Sequence, residues 1–254
     1  MESHDYDNRS AVEDWEDYFA KWQRRSKSVR TRSDAFLDIS FGTHLRERID
    51  LFPAHAPTCT VIFIHGGYWQ WNHKDEFTFL AEPWLRAGAD VAMLGYPLAP
   101  EATVPQIIES VKRGVAFIKD KSEFEIVLMG WSAGAQLAAK AGSKADKIIC
   151  LSGIYDLRPL LDTPINDGLG LVPEVAATCS PFLNPPQVNC LVGVGADERL
   201  ALRRQAETYS AALQAREVSV LFREWAGLHH YSILDECASE NSEVFKDMKK
   251  FVFS

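Results

Sequence analysis

The sequence predicts an α/β fold, a mostly parallel central sheet with helices on both faces and a small insertion or cap. Three observations carry that prediction. Four short runs, TVIFI (60–64), EIVLM (125–129), KIICL (147–151) and NCLVGVG (189–195), are apolar without alternation, as strands buried on both faces are. Segments with helical periodicity separate them. No repeat, low-complexity tract or linker breaks the order, so residues 1–254 read as one domain.

From Ser10 the segment SAVE has the form of a capping box, Glu13 reaching back to the Ser backbone. Val12, Trp15, Phe19 and Trp22 then recur at three- and four-residue steps and predict an amphipathic helix packed on the body of the domain. AFLDIS (35–40) and LRERIDLF (45–52), separated by FGTH, predict an antiparallel hairpin that completes an N-terminal unit over 10–52. After TVIFI a helix is expected from about Asp75 to Ala87, closed by Gly88 as a left-handed cap. ADVAML (89–94) is the next strand, followed by a helix from about Thr103 to Lys121 with Pro105 in its first turn. EIVLM runs into a helix from Ser132 to about Ala141. KIICL precedes a proline-rich stretch, read over 154–187 as a cap-like insertion. After NCLVGVG come a helix from about Arg199 to Gln214, the strand VSVLF (218–222) and a last helix from about Ser239.

Composition sets outer limits. Against 35 Asp+Glu stand 27 Lys+Arg, a formal net charge of −8, which argues against nucleic acid or an anionic membrane as the main partner. A chain of this length buries roughly 70–75% of its unfolded surface, so the core needs no metal or disulfide staple. The first thirty residues are charged and carry no apolar h-region, and no apolar run approaches the roughly 18 residues of a membrane span. Cys59, Cys150, Cys179, Cys190 and Cys237 form no Cys-x-x-Cys pair, and Cys59, Cys150 and Cys190 fall in or beside strand runs. This pattern favours a reducing, cytoplasmic setting over a disulfide framework or zinc site. The expected partner is a small-molecule substrate, and a homodimer is compatible with the sequence.

The chemistry concentrates in four places. GWSAG (130–134) fits Gly-x-Ser-x-Gly between the strand EIVLM and the helical run AGAQLAAKA, where a nucleophile elbow must sit, and makes Ser132 the candidate nucleophile. HGGYW (65–69) follows TVIFI, and the N–H groups of Gly66 and Gly67, with that of Ala133, are candidate oxyanion donors. His229 and His230 follow VSVLF in the loop GLHHYS, where a base should fall; His230 is favoured. His4, His44, His55 and His73 lie in surface segments, and His65 belongs to the glycine turn. The orienting acid should follow NCLVGVG, where Asp197 and Glu198 stand side by side. Successive side chains in extended backbone point apart, so one faces the imidazole and the other is expected to cap the helix near Arg199. Asp156 is better read as the cap of a short helix opened by Leu157, Arg158 and Pro159.

With these residues in place the chain resembles the kynurenine formamidase (arylformamidase) group of the α/β-hydrolase fold. HGGYW, GWSAGAQLA, LSGIYDLRPLLDTPIND (151–167), RRQA (203–206) and HHYSIL (229–234) match in order, and YDNRSAV (6–12) and RERIDLFP (46–53) extend the match over nearly the whole chain. The resemblance implies hydrolysis of N-formyl-L-kynurenine to L-kynurenine and formate, in tryptophan breakdown, without metal or organic cofactor. It implies Ser132 as nucleophile, His230 as base and Gly66, Gly67 and Ala133 as oxyanion donors. Counted back from RRQA, its acid falls on Glu198, although the Glu-Phe pair that usually follows reads Ala201–Leu202 here. Tyr68, Trp69, Trp71, Trp131 and Tyr155 adjoin the motifs and are candidates for an aromatic slot, with Arg158 for a substrate carboxylate. A broad-specificity carboxylesterase or carbamate/amide hydrolase with the same triad is the alternative, and a non-catalytic binding module a second.

Overall fold

The computed structural model describes residues 3–32 and 34–254, with side chains from residue 5 onward, so His4 lies outside the described side chains. After a 3-10 turn at Ser3–Tyr6 comes helix α1 (Trp15–Arg30), then the hairpin strands β1 (Phe36–Ser40) and β2 (Arg48–Phe52). β3 (Cys59–Ile64), α2 (Ala81–Arg86), β4 (Ala89–Leu94), α3 (Val104–Lys119), β5 (Glu125–Trp131), α4 (Ala133–Ala141) and β6 (Lys147–Leu151) follow. The proline-rich stretch holds the short helices α5 (Asn166–Leu169) and α6 (Pro173–Cys179). β7 (Asn189–Gly195), α7 (Leu200–Gln214), β8 (Val220–Trp225), α8 (Ser232–Cys237) and α9 (Glu243–Val252) close the chain.

The strands form one eight-stranded sheet in the order β1-β2-β4-β3-β5-β6-β7-β8. The hairpin joins it antiparallel, β2 against β4, and every pair from β4 to β8 is parallel. This is the α/β-hydrolase architecture the sequence predicts. Along β3, Ile62 and Ile64 enter one apolar layer while Val61 and Phe63 enter the other, all at most 2% exposed. Each such side chain contributes about 1.5–3 kcal/mol by leaving water, which is why the run carries no polar alternation. Cys59, Cys150 and Cys190 pack within these strands, and all five thiols are buried and free. No helix of the described residues is long and apolar enough to cross a membrane.

Several boundaries differ from the sequence expectation: β2 starts at Arg48 and not at 45, β5 runs on to Trp131, and β8 spans Val220–Trp225 and not 218–222. Helix α1 starts at Trp15, not after Ser10, and its first residues have no side-chain cap. Ser10 instead donates from Oγ to the Asp7 carbonyl (3.2 Å) and accepts from Arg199 Nη2 (2.8 Å), tying down the segment before the helix. The helix expected over 75–87 is a 3-10 helix (Lys74–Leu80) followed by α2. Pro83 has no N–H to bond the carbonyl four residues back, so it fits only the first turn of an α-helix, and α2 begins just before it. The last helix begins at Glu243, where Ser242 Oγ accepts from the Phe245 N–H (2.9 Å).

A polar cluster pins α1 to the hairpin. Lys74 Nζ, 1% exposed, lies 2.7 Å from Asp38 and Asp50 and 2.8 Å from Asp75, and Arg30 of α1 pairs with Asp50 and Asp75. These carboxylates are close enough to hold a cation, and the Lys74 ammonium already takes that place. Buried charges persist only when paired in this way. The turn above the carboxyl ends of β3, β5, β7 and β8 is where the functional side chains converge.

Candidate active site

Ser132 stands between β5 and α4 with φ 57° and ψ −124°, a backbone few non-glycine residues adopt. Its N–H donates to the Leu151 carbonyl of β6 (2.8 Å), fixing the sharp turn. Small neighbours are obligatory here. A Cβ on Gly134 would run into the Ile64 and His65 carbonyls, and one on Gly66 would sit 2.7 Å from the Trp131 oxygen. The glycine turn after β3 is therefore pressed directly against the elbow. Ser132 opens on a cavity of about 240 Å³ whose walls include Phe19, Tyr68, Trp71, Trp131, His230 and Tyr231.

His230 is reached through the loop after β8. Its Nδ1 lies 2.8 Å from Glu198 Oε2, and both side chains are almost fully buried. The other carboxylate oxygen accepts from Ser152 Oγ (2.5 Å) and the Gly195 N–H (2.8 Å). Glu198 is thus held from β6 and β7 before it meets the imidazole. With Nδ1 engaged, the proton sits there and Nε2 is left as the acceptor. Trp131 braces the loop, donating from Nε1 to the His230 carbonyl (3.0 Å) with the two rings 4.8 Å apart. Asp197 is exposed and contributes only its N–H, to the Leu228 carbonyl (3.0 Å). It does not cap α7, which has no side-chain cap. His229 turns the other way: Nε2 meets Tyr18 Oη (3.2 Å), and Nδ1 accepts from the Tyr231 and Ser232 N–H groups.

The N–H groups of Gly66, Gly67 and Ala133 make no hydrogen bond within the described residues. Their loop is fixed by His65, whose ring lies between Phe77 (5.8 Å) and Tyr96 (4.3 Å) and whose Nδ1 is 2.7 Å from the Gly66 carbonyl. Tyr96 Oη donates to the His65 carbonyl (2.6 Å). Burial pushes the His65 pKa down to about 3, against the Gly66 hydrogen bond, which favours the charged form. In the unfolded chain the ring titrates near 6.5. Between the two values the unfolded chain binds the extra proton, so this contribution is complete above about pH 6.5 and is lost as pH falls toward 3. Urea unfolding is expected to show about 2 kcal/mol less stability at pH 5 than at pH 7.5 from this group. His65→Asn should flatten that dependence, and an unchanged slope would remove His65 as its source.

Not every residue beside a motif reaches the cavity. Trp69 is fully buried and donates to Gln136 Oε1 (2.9 Å), and Tyr155 is fully buried and stacked on Tyr209 at 4.1 Å. Both are core residues, because their side chains turn inward from the strand ends. Arg158 lies in a separate surface cleft and makes a two-pronged bond to Asp156 (2.8 and 2.6 Å), whose Oδ1 also accepts from the Arg158 N–H as the start of a short helix. Tyr68, Trp71 and Trp131 do line the cavity, as do Pro164 and Ile165 of the insertion. The N-terminal segment Tyr6–Arg9 supplies another wall that the motifs did not point to. Its only sequence signal is that YDNRSAV lies within the resemblance.

A serine on a strained elbow, an imidazole oriented by a buried carboxylate, and unpaired amides on the adjoining turn form the set that acyl transfer requires. Comparison with known proteins agrees. The BD-FAE family model matches residues 51–159. A solved candidate thioesterase from Silicibacter sp. TM1040 superposes with a TM-score of 0.87 at 28% identity, over 95% of this chain and 96% of that one. An esterase from Pyrobaculum calidifontis shares the fold, with a TM-score of 0.71 at 18% identity over 93% and 89% of the two chains. The kynurenine formamidase of Danio rerio is 32% identical over 249 residues, 89% of this chain and 85% of that protein. The chain is therefore a hydrolase of the α/β-hydrolase fold and belongs to the kynurenine formamidase family.

Proposed function

We propose that this protein hydrolyses N-formyl-L-kynurenine to L-kynurenine and formate, a step of tryptophan breakdown, in a reducing cytoplasmic setting that suits its free thiols. Ser132 attacks the formyl carbon while His230 takes its proton, and Glu198 holds the resulting imidazolium. The N–H groups of Gly66, Gly67 and Ala133 receive the oxyanion. His230 then protonates the departing aryl amine, and water clears the formyl-enzyme. The observation that carries this reading is the 2.8 Å contact of His230 with Glu198 on the wall of the cavity that Ser132 opens. The substrate comes from the relatives' name together with the aromatic lining of that cavity, Phe19, Tyr68, Trp71, Trp131 and Tyr231, which suits an aryl leaving group.

A formyl group demands little acyl space, so selectivity should reside on the leaving-group side. Comparing kcat/KM for N-formylkynurenine with that for p-nitrophenyl acetate and butyrate tests the reading. The formamide is expected to be preferred, with butyrate the slowest. A large preference for the esters would overturn it in favour of a general carboxylesterase. A fluorophosphonate probe should label Ser132 in the folded protein, and failure to label would point to a binding module instead.

A further inference from the structure

We infer that Asp7 and Arg9 form a recognition site for the α-amino acid head group of the substrate: Arg9 takes the carboxylate, and Asp7 takes the ammonium. The inference rests on the kynurenine reading of the cavity. Both residues line that cavity. The Arg9 guanidinium lies over two indoles, 4.6 Å from the Trp15 ring and 4.7 Å from Trp71, and pairs with no carboxylate among the described residues. Contact with two aromatic rings holds the guanidinium in place, and its N–H groups suit a planar anion. Arg158, the arginine the sequence put forward, is already spent on Asp156.

The segment is anchored as a binding site must be. Tyr68 Oη donates to the Tyr6 carbonyl, Asn8 Nδ2 donates to Tyr68 Oη (3.1 Å), and Gln205 Nε2 donates to Tyr6 Oη (3.0 Å). Arg199 holds the Asp7 carbonyl (3.2 Å) and the Ser10 hydroxyl (2.8 Å). Asn8 is 3% exposed and serves as an anchor of the segment. Asp7, half-buried on the wall of the same cavity, accepts the Ser10 N–H at Oδ1 (3.2 Å). A cation for the carboxylate and an anion for the ammonium thus line one cavity, the pair of groups an α-amino acid calls for. A simple ester has no use for either.

Calorimetric titration separates the two halves without depending on turnover. The probes are L-kynurenine, kynuramine, which lacks the carboxylate, and 4-(2-aminophenyl)-4-oxobutanoate, which lacks the α-amine. Arg9→Gln is expected to raise Kd for L-kynurenine and the oxobutanoate by about 10–100-fold, and that for kynuramine by less than about threefold. Arg9→Lys should give a smaller rise of the same pattern, because an ammonium neither stacks nor binds in two-pronged fashion. Asp7→Asn should weaken L-kynurenine and kynuramine but spare the oxobutanoate. Unchanged melting temperatures establish that the variants are folded. Equal shifts for all three ligands, no shift, or a wild type that does not bind L-kynurenine overturns the assignment. A wild type that binds L-kynurenine through Arg9 yet prefers esters as substrates refutes the proposed reaction and leaves the head-group site standing.

Discussion

Ser132→Ala and His230→Ala are each expected to lower kcat on N-formylkynurenine by roughly 10⁴–10⁶-fold, and the double variant by no more than the worse single one. Without the hydroxyl no acyl-enzyme forms, and without the imidazole the hydroxyl stays protonated. The two losses therefore remove the same event and do not add. What survives is the activity of water held near the unpaired amides of Gly66, Gly67 and Ala133. His229→Ala is the informative control. Its ring is committed to Tyr18 and to the Tyr231 and Ser232 amides, so the change should cost no more than about tenfold, through a loosened loop. Steady-state rates with burst analysis measure all four variants. If His229→Ala is the damaging change and His230→Ala is mild, the base has been misassigned. Fluorophosphonate labelling adds a second readout, since it should vanish in Ser132→Ala and slow greatly in His230→Ala.

Much of this site could be read from sequence because its parts are local. The elbow is a five-residue pattern flanked by a strand and a helix, and the glycine pair follows an unalternating apolar run whose shortness and β-branched residues mark a buried strand. β3, β4, β6 and β7 lie within a residue of their predicted limits for that reason. The rest depends on which way a side chain turns and on contacts far apart in the chain. Trp69 and Tyr155 adjoin the motifs as closely as Tyr68 and Trp71 do, yet they enter the core. Nothing in their neighbours' spelling distinguishes them. The wall built by Tyr6–Arg9 depends on Tyr68, Arg199 and Gln205, partners 60 to 199 positions away. Lys74 belongs to none of the motifs the sequence offers, and only the meeting of α1, β1 and β2 around Asp50 buries it. Local propensity sets the elements; convergence of distant polar groups sets the pocket.

Glu198→Gln is expected to lower kcat by roughly 10³–10⁴-fold, while Asp197→Asn stays within about twofold. The two residues are adjacent and of like charge, so the contrast isolates orientation. Glu198 Oε1 takes the Ser152 hydroxyl and the Gly195 N–H, which leaves Oε2 aimed at His230 Nδ1. Asp197, one residue earlier, faces solvent. Glutamine keeps the size of glutamate and can still accept from Ser152 and Gly195, so the fold should survive. Its amide nitrogen then faces Nδ1 and can only donate. That forces the imidazole proton onto Nε2, the atom that must accept from Ser132, and the base is held in the wrong tautomer. The loss should fall on kcat more than on KM, because Glu198 is not among the residues that line the cavity. Glu198→Asp keeps the charge but withdraws it by one methylene, and should fall between wild type and Glu198→Gln. A severe Asp197→Asn with a mild Glu198→Gln would reverse the assignment, and equal moderate losses would mean that the carboxylate only holds the loop in place.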